Sequence, residues 1–554
     1  MTLLLAAIAP LASADAQAAS GVGDDAVPIP VHGTRIRIGG FWSNYDSRFA
    51  TTEDGSYKRG PLFGGFNRDN LGVADIPAFN YTQDNIRKLS GLGAAFNLSL
   101  GRLEASGNVV KSVVPFQIDV GIRKRLSIGL VVPYVQTTAD NKIVLNRGGI
   151  GATVGENPAK ATGSAARITN GLLLSQIDAA GAALTAEIAR CADVAQTGGS
   201  CEAIRANPTG AQSLLTQSST IKLLVTALYG TADHSGALLV PITKSAAQAA
   251  VENTIGNLRS NFLQYSVSAI DGTRLPQGDT TVYGSAGLQS LVKENALGLG
   301  YDTLTNGGHS GVGDIDLTAT LLLFDSFGAS QTKRLEASKR AYRSTLTAGW
   351  RFGTATGART ARPFDVPTGD GANALLLRST TDVIFGRRWW VSATGRVVKP
   401  LQDNVVARFP ALDDNNLFEA AAVLPGVRAL GTRTEIEIAP RYAINSFFGL
   451  SMAYGIGHQG SSTITAAPNF VDGSTSGSTA QTPGILTNYY LATTVQSLQF
   501  GVTYSTLTGF VKHHSRWPIE IIYSHGLTLT ASGGPVPSTT SDQIQLRVYT
   551  RFPR

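Results

Sequence analysis

The sequence predicts an all-β membrane protein: an antiparallel outer-membrane β-barrel of about 12 strands (14 is the alternative) with a largely helical insertion. Three observations lead to this fold class. Apolar and polar residues alternate in segments of about ten residues, and short and long connections alternate between these segments. Only 15% of the 554 residues are charged, against about a quarter in soluble domains. Alternating short turns and long loops are typical of outer-membrane barrels.

The composition narrows the class of protein further. Hydrophobic residues make up 43% of the chain and are regularly placed, which argues against disorder. The net charge is +7, but no run of Lys and Arg is interleaved with aromatic residues, so we expect no nucleic acid partner.

The N-terminus has the pattern of an export signal. Met1–Ala14 is apolar and is followed by an A-x-A site, which predicts a signal peptide over 1–18 with cleavage after Ala18. The usual positive start is missing, and a small-residue tail is the alternative. Elsewhere no run of about 18 apolar residues predicts a membrane-spanning helix. An exported chain of this kind can span a membrane only as a closed barrel.

Counting back from the C-terminus gives twelve strands. They are predicted near 542–553, 517–530, 497–511, 447–456, 427–442, 389–399, 375–386, 341–353, 312–325, 126–137, 110–122 and 92–104. The segment from Thr34 to Phe41 could begin an additional pair, which would give fourteen. The predicted organisation is an irregular N-terminal segment (19–91), the first barrel strands (92–139), a helical insertion (140–304) and the remaining strands (305–554).

The alternation also assigns the two faces of each strand. Because a barrel turns its apolar face to hydrocarbon, alternating residues such as Ile128, Leu130 and Leu317 point outward and the intervening polar residues point into the lumen. The predicted lumen-lining residues are Asp119, Asp314, Asp316, Arg343, Arg351, Arg378, Asp382, Arg396, Arg433, Glu435, Glu437 and Arg547. These charges either form arginine–carboxylate pairs that fill the barrel and fix its register, or they select solutes. The near balance of positive and negative charges argues against a strongly ion-selective pore.

Residues 140–304 lack the strand pattern. Leu173, Ile177, Ala180 and Leu184 recur at helical spacing, as do other apolar residues further along, and packing between helices explains such stripes. By the strand count the insertion lies at the long-loop end, where it forms either an extracellular cap or a plug. Within it, Cys191 and Cys201 are expected to form a disulfide in an oxidising compartment.

Two segments resemble a known family. Residues 121–135 (GIRKRLSIGLVVPYV) form a turn followed by S-x-G-x-x-x-P-Y, and residues 311–325 (GVGDIDLTATLLLFD) open a strand with G-x-G-D. These motifs resemble the meta-pathway phenol-degradation-like outer-membrane proteins over residues 110–137 and 305–554. The resemblance implies a barrel that passes small hydrophobic molecules. The chain departs from that family in its helical insertion and in ending Phe552-Pro553-Arg554.

The sequence offers no catalytic constellation. None of the seven histidines lies in an H-E-x-x-H motif, and no nucleophile elbow or phosphate loop fits its context. We therefore predict no enzyme activity, cofactor or metal. The predicted function is passive transport of a small solute through a polar, partly occluded lumen in the bacterial outer membrane. The lipid bilayer and the solute are the expected partners. Two alternatives stay open: a non-conducting surface scaffold that binds through the insertion, and a membrane-embedded hydrolase.

Overall fold

The alternating segments form long antiparallel strands in the computed structural model. It describes residues 23–550 apart from 28, 53–54, 148–150, 273–274, 277, 279–281, 294–296, 298, 305, 327–339, 386–388, 411–420, 446, 467–486, 508–509 and 511–514. The predicted signal peptide over 1–18 lies outside the described residues.

The described chain contains 22 strands and six α-helices. The strands are β1 (Thr34–Tyr45), β2 (Ser47–Thr51), β3 (Tyr57–Pro61), β4 (Leu103–Arg123), β5 (Leu126–Leu145), β6 (Val154–Glu156), β7 (Leu239–Pro241), β8 (Gly307–Val312), β9 (Ile315–Asp325), β10 (Ala341–Phe352), β11 (Ala374–Phe385), β12 (Trp389–Pro400), β13 (Asp403–Pro410), β14 (Ala421–Ala429), β15 (Arg433–Ala443), β16 (Phe448–Gln459), β17 (Ser462–Ala466), β18 (Thr487–Tyr490), β19 (Thr493–Ser505), β20 (Ile519–Gly533), β21 (Val536–Pro537) and β22 (Thr540–Thr550). The helices are α1 (Asn80–Ser90), α2 (Ala165–Cys191), α3 (Gly199–Ala206), α4 (Pro208–Tyr229), α5 (Ala246–Leu263) and α6 (Ser285–Leu291).

Twelve strands close into one barrel, as predicted. Their order around the barrel is β4, β1, β22, β20, β19, β16, β15, β12, β11, β10, β9 and β5, and pairing of β4 with β5 completes the ring. The short strand β8 is an extra one, because it pairs with the far end of β5 in line with β9. Closure gives every strand a partner on both sides, which a bilayer requires of backbone polar groups.

The twelve barrel strands differ from the predicted set in one strand. The strand predicted over 92–104 is wrong, and Thr34–Tyr45 takes the twelfth place, between β4 and β22. Residues Gly93–Ala95 form a 3-10 turn, and Leu98 and Leu100 are buried in a core of helices. Apolar residues that alternate because they face a protein core have the same sequence pattern as those that face lipid. The segment 19–91, predicted to be irregular, thus contains a barrel strand and helix α1.

The two faces of the strands follow the predicted parity. Leu130, Leu317 and Ile544 point outward and are exposed, whereas inward polar residues such as Asp382 and Arg351 are almost fully buried. Exposed apolar and buried charged side chains reverse the pattern of a soluble protein, as expected where lipid surrounds the barrel.

A β-bulge shifts this parity at the end of β9. The register against β10 slips between Ser344 and Thr345, so that Leu322 is buried and Phe324 is exposed. Leu323, which has the same parity as the outward Leu317, therefore does not continue the outward row. Alternation in the sequence cannot reveal a bulge, because the extra residue is defined by the partner strand.

The long-loop end of the barrel carries a helical cap. Inward residues of the β4–β5 hairpin, such as Ala105, Val109 and Ala139, belong to one apolar core with α1, α2, α4 and α5. Arg408 lies on β13, in a separate four-stranded sheet with β14, β17 and β18, and donates to the carbonyl groups of Leu299 and Gly300. The insertion thus contacts both the β4–β5 hairpin and this second sheet. Cys191 and Cys201 form the predicted disulfide at the end of α2.

Helix α2 bears on the prediction that the chain has no membrane-spanning helix after its N-terminus. Its 27 residues are long and apolar enough to cross a membrane by length and mean hydropathy alone. In the structure, Leu173, Ile177 and Leu184 are buried against the other helices of the cap. Core helices pass the same test, and one face of α2 packs within the cap in this way.

Candidate functional site: the closed lumen

The N-terminal segment, residues Gly23–Val27, lies inside the lumen and crosses it. The Asp24 carboxylate accepts hydrogen bonds from Arg378 Nη1 at 2.9 Å and from Arg396 Nε and Nη2 at 3.2 and 3.0 Å. Arg378 lies on β11 and Arg396 on the adjacent β12. Asp24 therefore fixes the segment to one wall of the barrel.

The next residue, Asp25, reaches the opposite wall. Its carboxylate lies 3.2 Å from Arg547 Nη1 on β22 and 3.6 Å from Arg35 Nη1 on β1. Four strands separate this pair of strands from β11 and β12 in either direction around the barrel. Two consecutive side chains thus tie the segment to diametrically opposite walls.

The backbone of the segment is fixed as well. The amide of Asp24 donates to Glu437 at 3.2 Å, that of Ala26 donates to Asp382 at 3.0 Å, and Arg441 donates to the Gly23 carbonyl at 2.7 Å. Gly23 has φ +81, and a Cβ built there would lie 2.5 Å from the Cβ of Ala439. Glycine therefore fits this position without strain, and any side chain requires a shift of the backbone, because of both the conformation and the distance from the wall.

The wall around the segment is a network of buried ion pairs. Asp382 accepts from Arg343 Nε at 2.6 Å and from Ser392 Oγ at 2.7 Å. Arg351 donates from Nε and Nη2 to Asp316 at 2.8 and 3.0 Å. Bidentate arginine–carboxylate contacts of this kind fix geometry as well as charge. These pairs bring together residues that the parity argument had placed inside.

Asp119 is the centre of a further group on β1 and β4. It lies 3.1 Å from both Arg35 Nε and Arg37 Nη2, and Gln117 Nε2 donates to it at 2.9 Å. Arg35 and Arg37 are buried and point into the lumen beside the paired residues of β4. Neither arginine was predicted to line the lumen, because β1 was not among the twelve predicted strands.

At the long-loop end, the loop between β10 and β11 (residues 353–373) folds against the inside of the wall. Asp314 accepts from the backbone amides of Ala355, Asp370 and Gly371 at 3.1, 2.9 and 3.2 Å. The Asp370 carboxylate lies 2.6 Å from Arg433 Nη2. Burial raises the pKa of Asp370, but Arg433 and Arg351 outweigh it and lower the pKa below its usual value. The carboxylate is therefore ionised and holds the loop to β15.

The same loop has a second anchor, against β5 and β8. Asp365 accepts from Arg359 Nη2 at 2.7 Å and lies 2.5 Å from His309 Nε2 on β8. Burial raises the pKa of Asp365, but hydrogen bonds from Arg359 and His309 outweigh that effect and bring the pKa below its usual value. The backbone carbonyl of Val366 accepts from Thr137 Oγ1 at 2.7 Å. The loop thus joins β5 and β8 to the cap.

A small cavity is lined by residues of β4, β5, β9, β10, β11 and β12. Its volume is about 30 Å³, and its polar lining includes Gln117, Thr318, Thr347, Arg378 and Arg396. That space holds about two water molecules. The cavity is therefore too small for an organic solute while the N-terminal segment is in place.

All twelve predicted lumen-lining residues lie in the described structure, and most are buried in the networks above. Asp119, Asp316, Arg343, Arg351, Asp382, Arg396, Arg433, Glu437, Asp314 and Arg547 are almost fully buried, and Arg378 and Glu435 are partly buried. Besides Arg35 and Arg37, the residues that sequence reasoning missed are Asp24 and Asp25. Their signal was two adjacent acids shortly after the predicted cleavage site, ahead of the first strand.

One cluster in the cap has the composition of a metal site. Glu187, Cys191 and Cys201 place their ligand atoms within 4.8 Å of one another. Both sulfurs belong to the disulfide, so neither is available as the thiolate that binds a metal.

Comparisons with known proteins complete these observations. No family model matches the chain, and no curated protein matches it. An outer-membrane channel from Pseudomonas putida F1 is similar in structure, with a TM-score of 0.37 and 10% identity over 95% of this chain and 99% of that chain. The P. putida toluene transporter TodX has a TM-score of 0.28 and 11% identity, covering 94% of this chain and 91% of that chain. The Ralstonia pickettii toluene transporter TbuX has a TM-score of 0.28 and 8% identity, covering 93% and 89%.

The three similar structures are an outer-membrane channel and two toluene transporters. Their identities and TM-scores are too low to assign a substrate or a residue's role to this chain. What the chain itself displays is a closed 12-stranded barrel whose lumen is crossed by its own N-terminal segment.

Proposed function

We propose that this protein is a channel of the bacterial outer membrane that passes a small solute passively through its lumen, and that the segment Gly23–Val27 leaves the lumen when it does so. A closed barrel with an apolar outer face and a polar interior is the architecture of an outer-membrane channel. The sequence resemblance implies a small hydrophobic solute. The polar wall requires that such a solute tolerate contact with arginines and carboxylates.

The observation that carries the proposal is the way the segment is held. Hydrogen bonds and ion pairs of Asp24, Asp25 and the backbone fix it to the walls, and Ala26 adds a small buried apolar side chain. Water and mobile ions can replace contacts of this kind as the segment moves. The helical cap differs, because water cannot replace the apolar contacts of its core in this way. The N-terminal segment is thus suited to be the movable closure of the lumen.

Deletion of residues 23–27 tests the proposal. Purified protein is reconstituted into liposomes, and swelling in glucose is compared between the wild type and the deletion variant. We expect the deletion to raise the swelling rate about tenfold or more, because it removes the chain that crosses the lumen. Heat-dependent mobility on a denaturing gel confirms that both proteins are folded barrels.

A folded deletion variant that causes no swelling would contradict the proposal. That result would favour the alternative in which the barrel is a non-conducting scaffold for the helical cap. A wild type that swells liposomes as fast as the variant would show that the segment does not close the lumen.

A further inference from the structure

We propose that Asp24 and Asp25 act as an internal ligand of two arginine pairs, and that the transported solute is a small organic anion whose carboxylate takes their place. The inference rests on the proposed function, because it names the chemical class of solute that such a channel passes. It starts from the two sites that the segment occupies on opposite walls.

Each site consists of two guanidinium groups around one carboxylate. Arg378 and Arg396 bind Asp24, with N–O distances of 2.9 to 3.2 Å. Arg35 and Arg547 approach Asp25 at 3.6 and 3.2 Å. The planar guanidinium group matches the geometry of a carboxylate. Both sites are therefore built to bind the carboxylate that now fills them, whichever molecule carries it.

The charge of the wall supports the same conclusion. Among the described residues, the network of ion pairs and hydrogen bonds around the segment contains seven wall arginines: Arg35, Arg37, Arg343, Arg378, Arg396, Arg441 and Arg547. The wall supplies five carboxylates to the same network, those of Asp119, Asp382, Glu435, Glu437 and Glu520. Asp24 and Asp25 supply the other two negative charges. When the segment leaves, the wall keeps an excess of positive charge.

An excess of buried positive charge favours an anion in two ways. It raises the local concentration of small anions in the narrow lumen. It also makes displacement of the segment more favourable when an incoming carboxylate pairs with the arginines, because a buried charge without a partner is costly. A neutral or cationic solute offers no such compensation. The lumen thus selects for anions once it is open.

The experiment compares three solutes of matched size and different charge. Liposomes containing the 23–27 deletion variant or the double variant D24N/D25N are exposed to gluconate, glucose and glucosamine. We expect gluconate to enter about tenfold faster than glucosamine, with glucose between them. In planar bilayers with a KCl gradient, the reversal potential of both variants should have the sign of chloride selectivity.

Matched arginine variants show whether the sites themselves produce the selectivity. In the D24N/D25N background, R35Q/R547Q should bring the rates of gluconate and glucosamine close together. R190Q, which changes an exposed arginine of the cap, should leave the gluconate preference unchanged. The wild type gives a measurement that needs no variant: potassium benzoate should raise the frequency of channel openings above that in potassium chloride at the same concentration.

The outcomes separate this inference from the proposed function. If glucose enters but gluconate is no faster than glucosamine, the solute class is wrong and the channel proposal stands. Equal opening frequencies in benzoate and chloride would overturn the inference in the same way. If no solute enters through a folded variant, the channel proposal itself fails.

Discussion

Arg396 binds Asp24 through both Nε and Nη2, at 3.2 and 3.0 Å, although 372 residues separate them in the chain. The same guanidinium donates to Glu435 at 2.6 Å and lies 3.4 Å from Glu437. One wall arginine therefore joins two carboxylates of the barrel to one of the N-terminal segment. This contact connects the stability of the wall to the closure of the lumen.

Asp382 should be among the most sensitive positions of the wall. Its fully buried carboxylate accepts from Arg343, from Ser392 and from the amide of Ala26. D382A removes the carboxylate and leaves its charged donor buried, so we expect the free energy of unfolding to fall by about 3–5 kcal/mol. Urea titration of the folded barrel in lipid vesicles measures this change.

A milder variant at the same site is the control. S392A removes one donor to Asp382 and keeps the ion pair, so its cost should be about 1 kcal/mol. If D382A and S392A had equal effects, the Asp382–Arg343 pair would not stabilise the wall.

A charge on the lipid face should destabilise the barrel. Leu130, the fifth of the 20 residues of β5, is exposed and pairs with Leu317 and Ile118. L130R places a guanidinium in hydrocarbon and should cost about 2–4 kcal/mol of unfolding free energy. T318R, on the inward face opposite Gly129, should be tolerated better because Asp316 and Asp119 line that side. The same vesicle titration applies, and equal damage at both positions would show that the faces are assigned wrongly.

The disulfide should stabilise the cap and leave the barrel unaffected. It joins Cys191 at the end of α2 to Cys201 in α3, closing a short loop. C191S/C201S should lower the stability of the cap by about 2–4 kcal/mol, because the unfolded loop gains freedom. Limited proteolysis should cut the variant faster between α2 and α4, while its heat-dependent gel mobility stays that of the wild type. Unchanged proteolysis would contradict this role.

The anchor of the loop over residues 353–373 should depend on pH. The pKa of Asp365 lies below its usual value, because the hydrogen bonds from Arg359 and His309 outweigh burial. A lowered pKa in the folded state stabilises the loop above the ordinary carboxyl pKa of about 4. That stabilisation is lost as the pH falls through the lowered value.

Hydrogen exchange of the loop between pH 3 and pH 6 tests this dependence. Protection of residues 355–368, corrected for the intrinsic exchange rate, should decrease below about pH 4 in the wild type. D365N, which cannot titrate, should show weaker protection at all of these pH values and no such decrease. The same decrease in both proteins would assign the effect to another group.

The sequence predicted the barrel well where lipid faces the strand. Ile128, Leu130 and Leu317 alternate with small or polar residues because each outward position must be apolar, and this physical constraint acts on every residue in turn. The predicted strand count and the predicted disulfide were also confirmed. Both could be predicted because they follow from local patterns. Inward charges such as Asp382 and Arg351 followed from parity.

The parts that could not be predicted depend on distant partners. Leu98 and Leu100 alternate like a strand but pack into the cap, and the β9 bulge exists only in relation to β10. Asp24 and Asp25 lie in a segment without periodicity. The arginines that bind Asp24 are more than 350 residues away in the sequence. No rule of spacing connects an acidic pair at the N-terminus with arginines on four different strands.

A reversible cross-link of the N-terminal segment tests the central claim most directly. A Cβ at Gly23 would lie 2.5 Å from Ala439 Cβ, so a small backbone shift gives the Cβ separation of about 3.5–4.5 Å that a disulfide needs. In planar bilayers, G23C/A439C should be silent when oxidised and should open after reduction, while reduction leaves the conductance of the wild type unchanged. Equal conductance of the oxidised and reduced variant would contradict the claim that this segment closes the lumen.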